Sequence, residues 1–366
     1  MSASGTVRGV DFEGDGVASC KTSVAWWCNT TNLQNAAVRM RAALVMRMLT
    51  QRGVAASWFD LKQISRYQCV VVRMRYDDST LIQLRRFKNG GGKVVLDLCD
   101  NHFVPASQEP KHLHQVDNLR SLAVLADAVV TSSASLAEIV KRESPQSSRV
   151  ITIGDVPDDL SIVEAPQWRR WWTHWKMRRE HAFLQRAAPP ETTRLVWFGT
   201  SGGRRQLAGM VDLARIAPVL AELGKSHPLH LTVISNSHKR YREQVAPLVP
   251  ASRYIAWDPW TFESLLRRQH IALIPAKANA YTVCKTDNRV VTALRAGLAV
   301  VADPVPSYAS YAGLISIGDM EGGLQRYLRD PATRMADASR GKVKAEQPES
   351  ADRVIAQWLE LLENLA

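Results

Sequence analysis

The chain has 366 residues, which is too many for one ordinary hydrophobic core and fits two α/β domains of average size. Its 46% hydrophobic and 22% charged residues are typical of a globular protein and exclude an intrinsically disordered chain. The formal net charge of +12 is concentrated in residues 166–349 and favours anionic partners: diphosphates, acidic membrane surfaces or nucleic acid. A basic surface that serves only solubility is the alternative.

Three features of the sequence predict a cytoplasmic protein. It has no run of about 20 apolar residues, so a transmembrane helix is not expected. Residues 1–16 lack the basic and apolar regions of a secretory signal. The cysteines are scattered without metal-ligand spacing, and we expect reduced thiols at all of them: Cys20, Cys28, Cys69, Cys99 and Cys284.

The first half alternates short apolar runs with helical patterns, which predicts a parallel sheet with crossover helices. We expect residues 1–165 to form an N-terminal, acceptor-side Rossmann-like domain. Its predicted strands are 23–28, 55–59, 69–74, 93–98, 128–131 and 149–153. Its predicted helices are 36–52, 81–88 and 135–142.

The alternation of strand and helix patterns stops at residues 166–190, a segment rich in Trp and Arg that we interpret as interdomain. It resumes at residue 191. Residues 191–349 are predicted to form a second Rossmann-like domain that binds a nucleotide-sugar, and 350–366 a closing amphipathic helix. The predicted strands are 194–198, 229–235, 254–257, 271–275 and 299–302, and the predicted helices are 207–223, 261–268 and 287–296. The polar stretch 331–349 is expected to be loose. Two parallel sheets imply an α/β protein with a ligand cleft between them.

The first candidate site follows the strand at 194–198, where a glycine-rich loop leads into a helix. Glycines let the backbone approach an anion closely, and the next helix offers free N–H groups and its positive end. Two arginines at the end of the loop suit a diphosphate. The candidate residues are Gly199, Thr200, Gly202, Gly203, Arg204 and Arg205. An ordinary strand-to-helix turn is the alternative.

The second candidate site precedes the helix predicted at 287–296. Thr286 is a plausible N-cap, and Lys285 lies where its ammonium and the positive end of the helix would act on the same anion. Asn288 and Arg289 open the helix. The alternative is a surface lysine beside an ordinary cap.

These stretches resemble GT-B glycosyltransferases, especially the large retaining family four (glycosyltransferase group 1). The matching segments of the second half are LVWFGTSGGRR, LHLTVIS, IAWDPWTFESLLRRQHIALIPA and CKTDNRVVTALRAGLAVVA. In the first half, NAAVRMRAALVMRML is similar to the first helix after the acceptor-side loop, and ADAVVTSSASLAEIV to the strand and helix that close the N-terminal domain. The resemblance implies a GT-B fold with two Rossmann-like domains facing a central cleft.

The resemblance also implies roles for individual residues. Gly199, Gly202, Arg204 and Lys285 match positions that hold the donor diphosphate, and Asn288 with Arg289 matches a variant of the motif. Many members of the family carry two glutamates eight positions apart, where this chain has Cys284 and Thr292. This departure leaves the ribose contact and the retaining or inverting outcome open.

The N-terminal half supplies candidates for catalysis. Asp100 and His102 follow the strand predicted at 93–98, and polar residues at the carboxyl end of a parallel strand face the cleft. Either side chain could polarise an acceptor hydroxyl, and the family often has a histidine in this region. Their alternative role is loop formation. Residues 29–35 with Arg39 are a further candidate acceptor wall, for which turns and caps are an equal explanation.

Four tryptophans, Trp168, Trp171, Trp172 and Trp175, fall on one face of a predicted helix, with Arg179 projecting near them. Three interpretations stay open: packing against a domain, lying in a membrane interface, or binding nucleic acid by stacking.

The sequence therefore predicts a cytoplasmic, metal-independent glycosyltransferase with no cofactor, using a UDP- or GDP-linked sugar as its donor substrate. A bacterial surface glycan or its lipid-linked precursor is the expected acceptor, reached by docking on the anionic inner leaflet of the membrane. One alternative is a DNA glycosyltransferase acting on hydroxylated bases. Another is a non-catalytic nucleotide-sugar-binding protein.

Overall fold

The computed structural model describes residues 23–165, 167–203, 207–347 and 349–365. Within these ranges the chain forms two six-stranded sheets whose neighbouring strands pair in parallel. The first sheet has the order β2-β1-β3-β4-β5-β6. Its strands are β1 (Ser23–Cys28), β2 (Ala55–Trp58), β3 (Cys69–Arg73), β4 (Lys93–Leu98), β5 (Ala128–Thr131) and β6 (Val150–Thr152).

Three helices of the first half begin at side chains that accept backbone hydrogen bonds, namely Asn35, Asp77 and Ser133. A π-helical turn, Arg39–Ala43, joins the first two helices. The helices are α1 (Ala36–Val38), α2 (Leu44–Thr50), α3 (Asp78–Asn89), α4 (Pro110–Leu125) and α5 (Ala134–Glu143), followed by the connecting helix α6 (Gln167–Ala187). Helix α4 was not predicted, because its buried apolar residues begin only at Val116 and residues 110–115 are mostly polar.

The second sheet has the order β12-β11-β10-β7-β8-β9. Its strands are β7 (Thr193–Phe198), β8 (Leu229–Ser235), β9 (Ser252–Ala256), β10 (Ile271–Ile274), β11 (Ala299–Ala302) and β12 (Ser316–Ile317). Its helices are α7 (Met210–Ser226), α8 (His238–Gln244), α9 (Phe262–Leu266), α10 (Asn288–Arg295), α11 (Met320–Arg329) and α12 (Pro331–Ala345). The predicted α/β class with two parallel sheets is confirmed.

Helix α12 shows that the predicted loose segment 331–349 was wrong. Asp330 caps the helix and Pro331 is its first residue. Its buried positions carry small side chains, Ala338 and Ala345 with Gly341 between them, so the hydrophobic signal is weak. A Cβ at Gly341 would overlap the side chain of Leu294 on α10, so the small residues permit close helix packing.

The closing helix, α13 (Glu349–Glu363), packs against the first sheet rather than the second. Ile355, Trp358 and Leu362 are buried in the same cluster as Val24 and Trp26 of β1. The rings of Trp26 and Trp358 lie 5.7 Å apart. The chain therefore returns to its first sheet after completing the second.

The central strands are buried on both faces, which explains why they appear in the sequence as continuous apolar runs. Full burial of each Val or Leu side chain stabilises the fold by about 1.5–3 kcal/mol. Burial also raises the pKa of the Cys28 and Cys69 thiols to about 12, so both stay protonated at neutral pH. Among the helices of the described ranges, we find none with the length and apolarity needed to cross a membrane.

Candidate active site

A cavity of about 700 Å³ lies between the carboxyl ends of the two sheets. Its walls come from the segments that follow β1, β4 and β6 in the first sheet and β7, β10 and β11 in the second. It brings together the predicted residues Asp100, His102, Gly199, Thr200, Gly202, Gly203, Lys285, Asn288 and Arg289. Predicted residues Arg204 and Arg205 lie outside the described residues.

The glycine loop, residues 199–203 and 207–209 as described, joins β7 to α7 by folding back on itself. Gly202 has a φ of +93°, and a Cβ there would overlap the backbone oxygen of Ala208. At Gly209, with a φ of +105°, a Cβ would lie 2.7 Å from the amide nitrogen of Gly202. Only glycine fits these positions, because the φ and the close approach both disfavour a side chain. At Gly202 and Gly209 the loop therefore presents backbone rather than a side chain to the cavity.

Side chains from the segment after β8 hold the glycine loop in place. Arg240 donates hydrogen bonds to the carbonyls of Ser201 at 2.7 Å and Gly202 at 2.6 Å. Asn236 accepts from the amide of Ser201 at 2.8 Å. Sequence reasoning missed both residues, because neither belongs to the glycine motif and no spacing rule connects them to it. They fix the loop before any ligand arrives, which is the arrangement that anion binding by backbone amides needs.

The interdomain loop, residues 276–288 after β10, contacts the first sheet's half of the molecule from Ala280 onwards. Asn101, which follows β4, donates from Nδ2 to the carbonyl of Ala280 at 2.8 Å. Ser133, the cap of α5, donates from Oγ to the carbonyl of Cys284 at 2.8 Å. The two halves therefore meet in a closed arrangement around the cavity.

Lys285 forms an ion pair with Asp100 across the cavity, with 2.5 Å between Nζ and Oδ1. Its ammonium also lies 4.1 Å from the centre of the Tyr281 ring. Burial alone would lower the pKa of Lys285, but Asp100 and then Tyr281 raise it. Burial alone would raise the pKa of Asp100, but Lys285 and then His102 lower it. Both groups are therefore charged at neutral pH, and a donor phosphate would meet a cation that already has a partner.

Asp155 joins the same wall and was missed by the sequence analysis. It follows β6 at the carboxyl edge of the sheet, so the rule that selected Asp100 would also have selected it. Its Oδ2 accepts from Thr286 Oγ1 at 2.8 Å and Asn288 Nδ2 at 3.1 Å, and its Oδ1 lies 3.4 Å from Arg41. Burial raises the pKa of Asp155, and Arg41 opposes the shift. Arg41, 1% exposed, also donates to Asp97 and to the carbonyl of Ile153 at 2.6 Å.

His102 lies on the first-sheet side, with its Nδ1 2.7 Å from the hydroxyl of Tyr76. Burial lowers the pKa of His102, and Asp100 only partly opposes this shift. Burial also raises the pKa of Tyr76, so the phenol stays protonated. A hydrogen bond donated by Tyr76 to Nδ1 puts the proton on Nε2, and the reverse hydrogen bond leaves Nε2 free as a base.

Comparison with protein-family models and with curated protein sequences finds no match. Solved structures do superimpose. Sucrose-phosphate synthase from Thermosynechococcus elongatus has a TM-score of 0.66 at 11% identity, covering 94% of this chain and 99% of that chain. The Anabaena protein Alr3699/HepE in complex with UDP and glucose has a TM-score of 0.61 at 11% identity, covering 93% and 99%. S. aureus MnaA with UDP has a TM-score of 0.53 at 11% identity, covering 94% and 98%.

These superpositions run over nearly the whole of this chain and each of its neighbours, so they compare both sheets and the cavity between them. The chain has the GT-B fold. The predicted resemblance is thus confirmed at the level of architecture, with two Rossmann-like halves facing a cleft. In the GT-B fold the residues between the halves carry the chemistry of each protein, so its activity has to be argued from the site.

Burial explains why this chain has Cys284 at a position where the resemblance implied a glutamate. This residue is fully buried and packs in the apolar cluster that contains Leu98, Phe103 and Leu136 of the first half. A glutamate there would place a carboxylate among apolar side chains, which costs several kcal/mol unless it is paired. The interdomain loop of this GT-B protein uses the position for packing between the halves.

Two predictions about neighbouring residues were wrong. Thr286 does not cap α10: Asp287 occupies the N-cap position, and the hydroxyl of Thr286 bonds to Asp155. Arg39 is not part of an acceptor wall, because it is 1% exposed and donates to Asp158 at 2.6 Å. Within residues 29–35, Asn35 caps α1 as the turn-and-cap explanation proposed.

The packing interpretation of the four tryptophans on α6 was also wrong. Trp168 and Trp171 are 66% and 74% exposed, and Trp172 and Trp175 are 41% and 48% exposed. Arg179 lies 5.5 Å from the ring centre of Trp175, as its predicted projection requires. The membrane and nucleic-acid interpretations stay predictions.

Within the described ranges, no group of three or more His, Cys, Asp or Glu side chains is arranged to hold a metal ion. Metal independence stays a prediction. Of the lysines and arginines that line the cavity, Lys285 and Arg289 lie on the second-sheet side and could neutralise a diphosphate in its place, while Lys111 lies on the first-sheet side. A guanidinium nitrogen of Arg289 lies 3.7 Å from where a Cβ of Gly199 would stand, so this cation directly adjoins the glycine loop.

Proposed function

We propose that the protein is a glycosyltransferase that moves a sugar from a nucleoside-diphosphate sugar to a hydroxyl group. The observation that carries this proposal is the single cavity in which the glycine loop, Lys285, Arg289 and His102 meet at the carboxyl ends of two parallel sheets. UDP is the first donor nucleotide to test, because two similar structures contain it, and GDP is the second.

The second-sheet wall would hold the donor. Backbone amides of the glycine loop and the N-terminus of α7 suit the diphosphate, and Arg289 beside Gly199 adds a charged donor. Lys285 would stabilise the negative charge that develops as the bond between the sugar carbon and the phosphate oxygen breaks. Its link to Asp100 keeps the ammonium charged and fixed at the cavity.

The first-sheet wall would activate the acceptor. His102 is held neutral by burial and can take the hydroxyl proton at Nε2 as the acceptor oxygen bonds to the sugar carbon. The leaving group departs as a nucleoside diphosphate, so charge and atoms balance without a further reactant. Asp100 supports the process by pairing with Lys285 and favouring the protonated imidazole that forms.

For the acceptor, we propose a bacterial surface glycan or its lipid-linked precursor, assembled in the cytoplasm. The exposed basic and aromatic surface of α6 supports an acceptor presented at an anionic membrane. Duplex DNA with hydroxylated bases is the second candidate, supported by the net charge of +12. A non-catalytic nucleotide-sugar-binding protein is the third, supported by the missing glutamate at Cys284.

The first experiment is a thermal-shift and turnover screen with UDP-, GDP-, ADP-, CMP- and dTDP-sugars. One donor should raise the melting temperature by a few degrees at saturating concentration. The shift should vanish in Lys285→Ala and persist in Lys277→Ala, because Lys277 is exposed and outside the cavity. No shift with any donor would contradict the proposal, and a shift without donor hydrolysis or transfer would favour the binding protein.

A further inference from the structure

The tryptophan face, defined as Trp168, Trp171, Trp172 and Trp175 of α6, is an aromatic surface that the fold does not use. The four positions are spaced at i, i+3, i+4 and i+7, so their side chains project from one side of the helix. Two of the four are more than 60% exposed. Large aromatic side chains bury 150–250 Å² each when they find a partner, so this face leaves much apolar area in water.

The opposite side of α6 attaches the helix to the second half of the molecule. Leu184 is buried, and Glu180 pairs with Arg253 at 2.7 Å. At the edge of the tryptophan face, Lys176 lies 5.4 Å from the ring centre of Trp172 and pairs with Asp258 at 3.1 Å, with both side chains largely buried. These contacts fix the rotation of the helix about its axis, so the tryptophans point outwards because of the fold and not because the helix is loose.

The charges on the helix have one sign where they meet solvent. Glu180 is the only acidic residue in the sequence of α6, and it is buried against Arg253. Arg178 and Arg179 are exposed beside the tryptophans, and Arg186, also exposed, extends the same side about two turns further. The surface is therefore aromatic and cationic, and its charge complements an anionic partner.

We propose that the tryptophan face docks the protein on an anionic phospholipid surface. Tryptophan favours the headgroup region of a bilayer, where its ring is in the apolar boundary and its indole N–H stays near water. Arginines flanking such rings bind anionic headgroups, and a helix of this kind lies in the plane of the interface. The helix lies along the surface without crossing the bilayer.

Two other occupants fit the surface less well. A second copy related by twofold symmetry would place the same arginines against each other, and α6 has no acidic residue besides the buried Glu180 to compensate them. Duplex DNA would satisfy the arginines, but its stacked bases offer no place for four indole rings. The proposal is independent of sugar transfer, since the face lies on α6 and not among the residues that line the cavity.

The test is flotation of the whole protein with two kinds of vesicle, phosphatidylcholine alone and phosphatidylcholine mixed with phosphatidylglycerol. Binding should require phosphatidylglycerol and weaken with added salt. Trp168→Ala with Trp171→Ala should weaken binding roughly tenfold or more, through lost apolar contact. Arg178→Glu with Arg179→Glu should weaken it roughly fivefold or more for each charge.

Matched variants distinguish vesicle binding by the tryptophan face from nonspecific binding by other exposed apolar side chains. Met335→Ala with Val343→Ala removes two side chains that are 63% and 66% exposed on α12, and should leave binding unchanged. Circular dichroism should show that all variants are folded, since each site is exposed.

The proposal is overturned if vesicles with phosphatidylglycerol do not bind, or if the tryptophan variant binds as well as the parent protein. It is also overturned if the tryptophan variant loses duplex binding or self-association instead of vesicle binding. A protein that fails every donor screen would still give a clear vesicle result, so the two proposals fail separately.

Discussion

The two walls of the cavity stand at equivalent edges of their sheets but are built from different materials. The first-sheet wall is a network of buried charges, in which Arg41 bridges Asp97 and Asp155. The second-sheet wall is built around the backbone of the glycine loop, shaped by Gly202 and Gly209 and held from behind by Arg240, with Lys285 and Arg289 beside it. One wall therefore depends on ion pairs, while the glycine loop of the other depends on two positions that have no side chain.

This difference suits the two tasks proposed for the cavity. A charge network sets the protonation states of its members, as the lowered pKa of Asp100 and the raised pKa of Asp155 show. The described part of the glycine loop, residues 199–203 and 207–209, leaves amide groups open to an anion and carries no charged side chain of its own. Substitutions in the first-sheet wall should therefore disturb charge and protonation, and substitutions in the glycine loop should disturb donor binding. Four experiments test this.

The largest effect is expected from Arg41→Met. Arg41 and Asp97 are 1% and 0% exposed, so the variant leaves two carboxylates, Asp97 and Asp155, with a lost partner inside the protein. Breaking a buried pair in this way typically destabilises a protein by about 3–5 kcal/mol. A drop of many degrees in melting temperature, measured by calorimetry, should follow.

The control for this prediction is an exposed pair of the same chemistry. Arg52 and Asp352 lie 2.5 Å apart, with side chains 34% and 65% exposed. Arg52→Met should change stability by about 1 kcal/mol or less, because solvent screens such pairs. Equal losses in the two variants would show that the first-sheet wall does not depend on buried charge.

The second-largest effect is expected from Gly202→Ala on the other wall. A methyl group would overlap the oxygen of Ala208, and the positive φ adds about 1–3 kcal/mol of strain. The loop must shift, and donor binding should weaken more than about a hundredfold in a calorimetric titration. Gly203→Ala is the matched control, since a Cβ there meets no described atom within 4 Å. If both variants bind donor equally, the loop does not hold the ligand.

The contrast between the walls also explains what the sequence could predict. The glycine loop and the residues before α10 are local patterns, so their position at strand ends could be predicted from spacing alone. The partners of Arg41 are 56 and 114 residues away, and no single-sequence pattern connects them. Pairing between distant residues is decided by the packing of the whole fold.

The same reasoning applies outside the cavity. The helical spacing of the tryptophans predicted a common face for them, but their exposure depends on Leu184 and Glu180 anchoring the other side. Helix α12 was missed because alanine and glycine occupy its buried stripe, and small residues give little hydrophobic signal. Spacing therefore predicts faces, while the packing partner decides which face is covered.

The third prediction concerns His102 and pH. Its pKa is lowered from the ordinary value of 6.5, so the neutral base is present at pH 7 and is lost only as pH falls further. The folded state binds its proton less readily than the unfolded state, so its contribution to stability is also present above pH 6.5 and declines below it. Transfer activity, measured as kcat/KM, should follow the same acid limb.

His102→Gln should lower kcat/KM about a hundredfold and remove that limb from the pH profile, while donor affinity is kept. The variant retains a side chain that can bond to the Tyr76 hydroxyl, so the fold should persist. If His102→Gln lowers activity but leaves the acid limb of the kcat/KM profile unchanged, another group is the catalytic base. The role of His102 would then be only to shape the loop.

The smallest effect is expected where the two walls touch. Thr286 donates one of the hydrogen bonds that Asp155 receives, and Asn288 and Arg41 remain when it is removed. Thr286→Val should therefore weaken donor binding by about 1 kcal/mol, or roughly fivefold, because closure of the halves loses one buried hydrogen bond. Thr173→Val is the matched control: its hydroxyl is buried with no partner among the described residues, so its loss should be neutral or stabilising. If Thr286→Val were as silent as Thr173→Val, the contact between the walls would be incidental to donor binding, and the two walls would act independently.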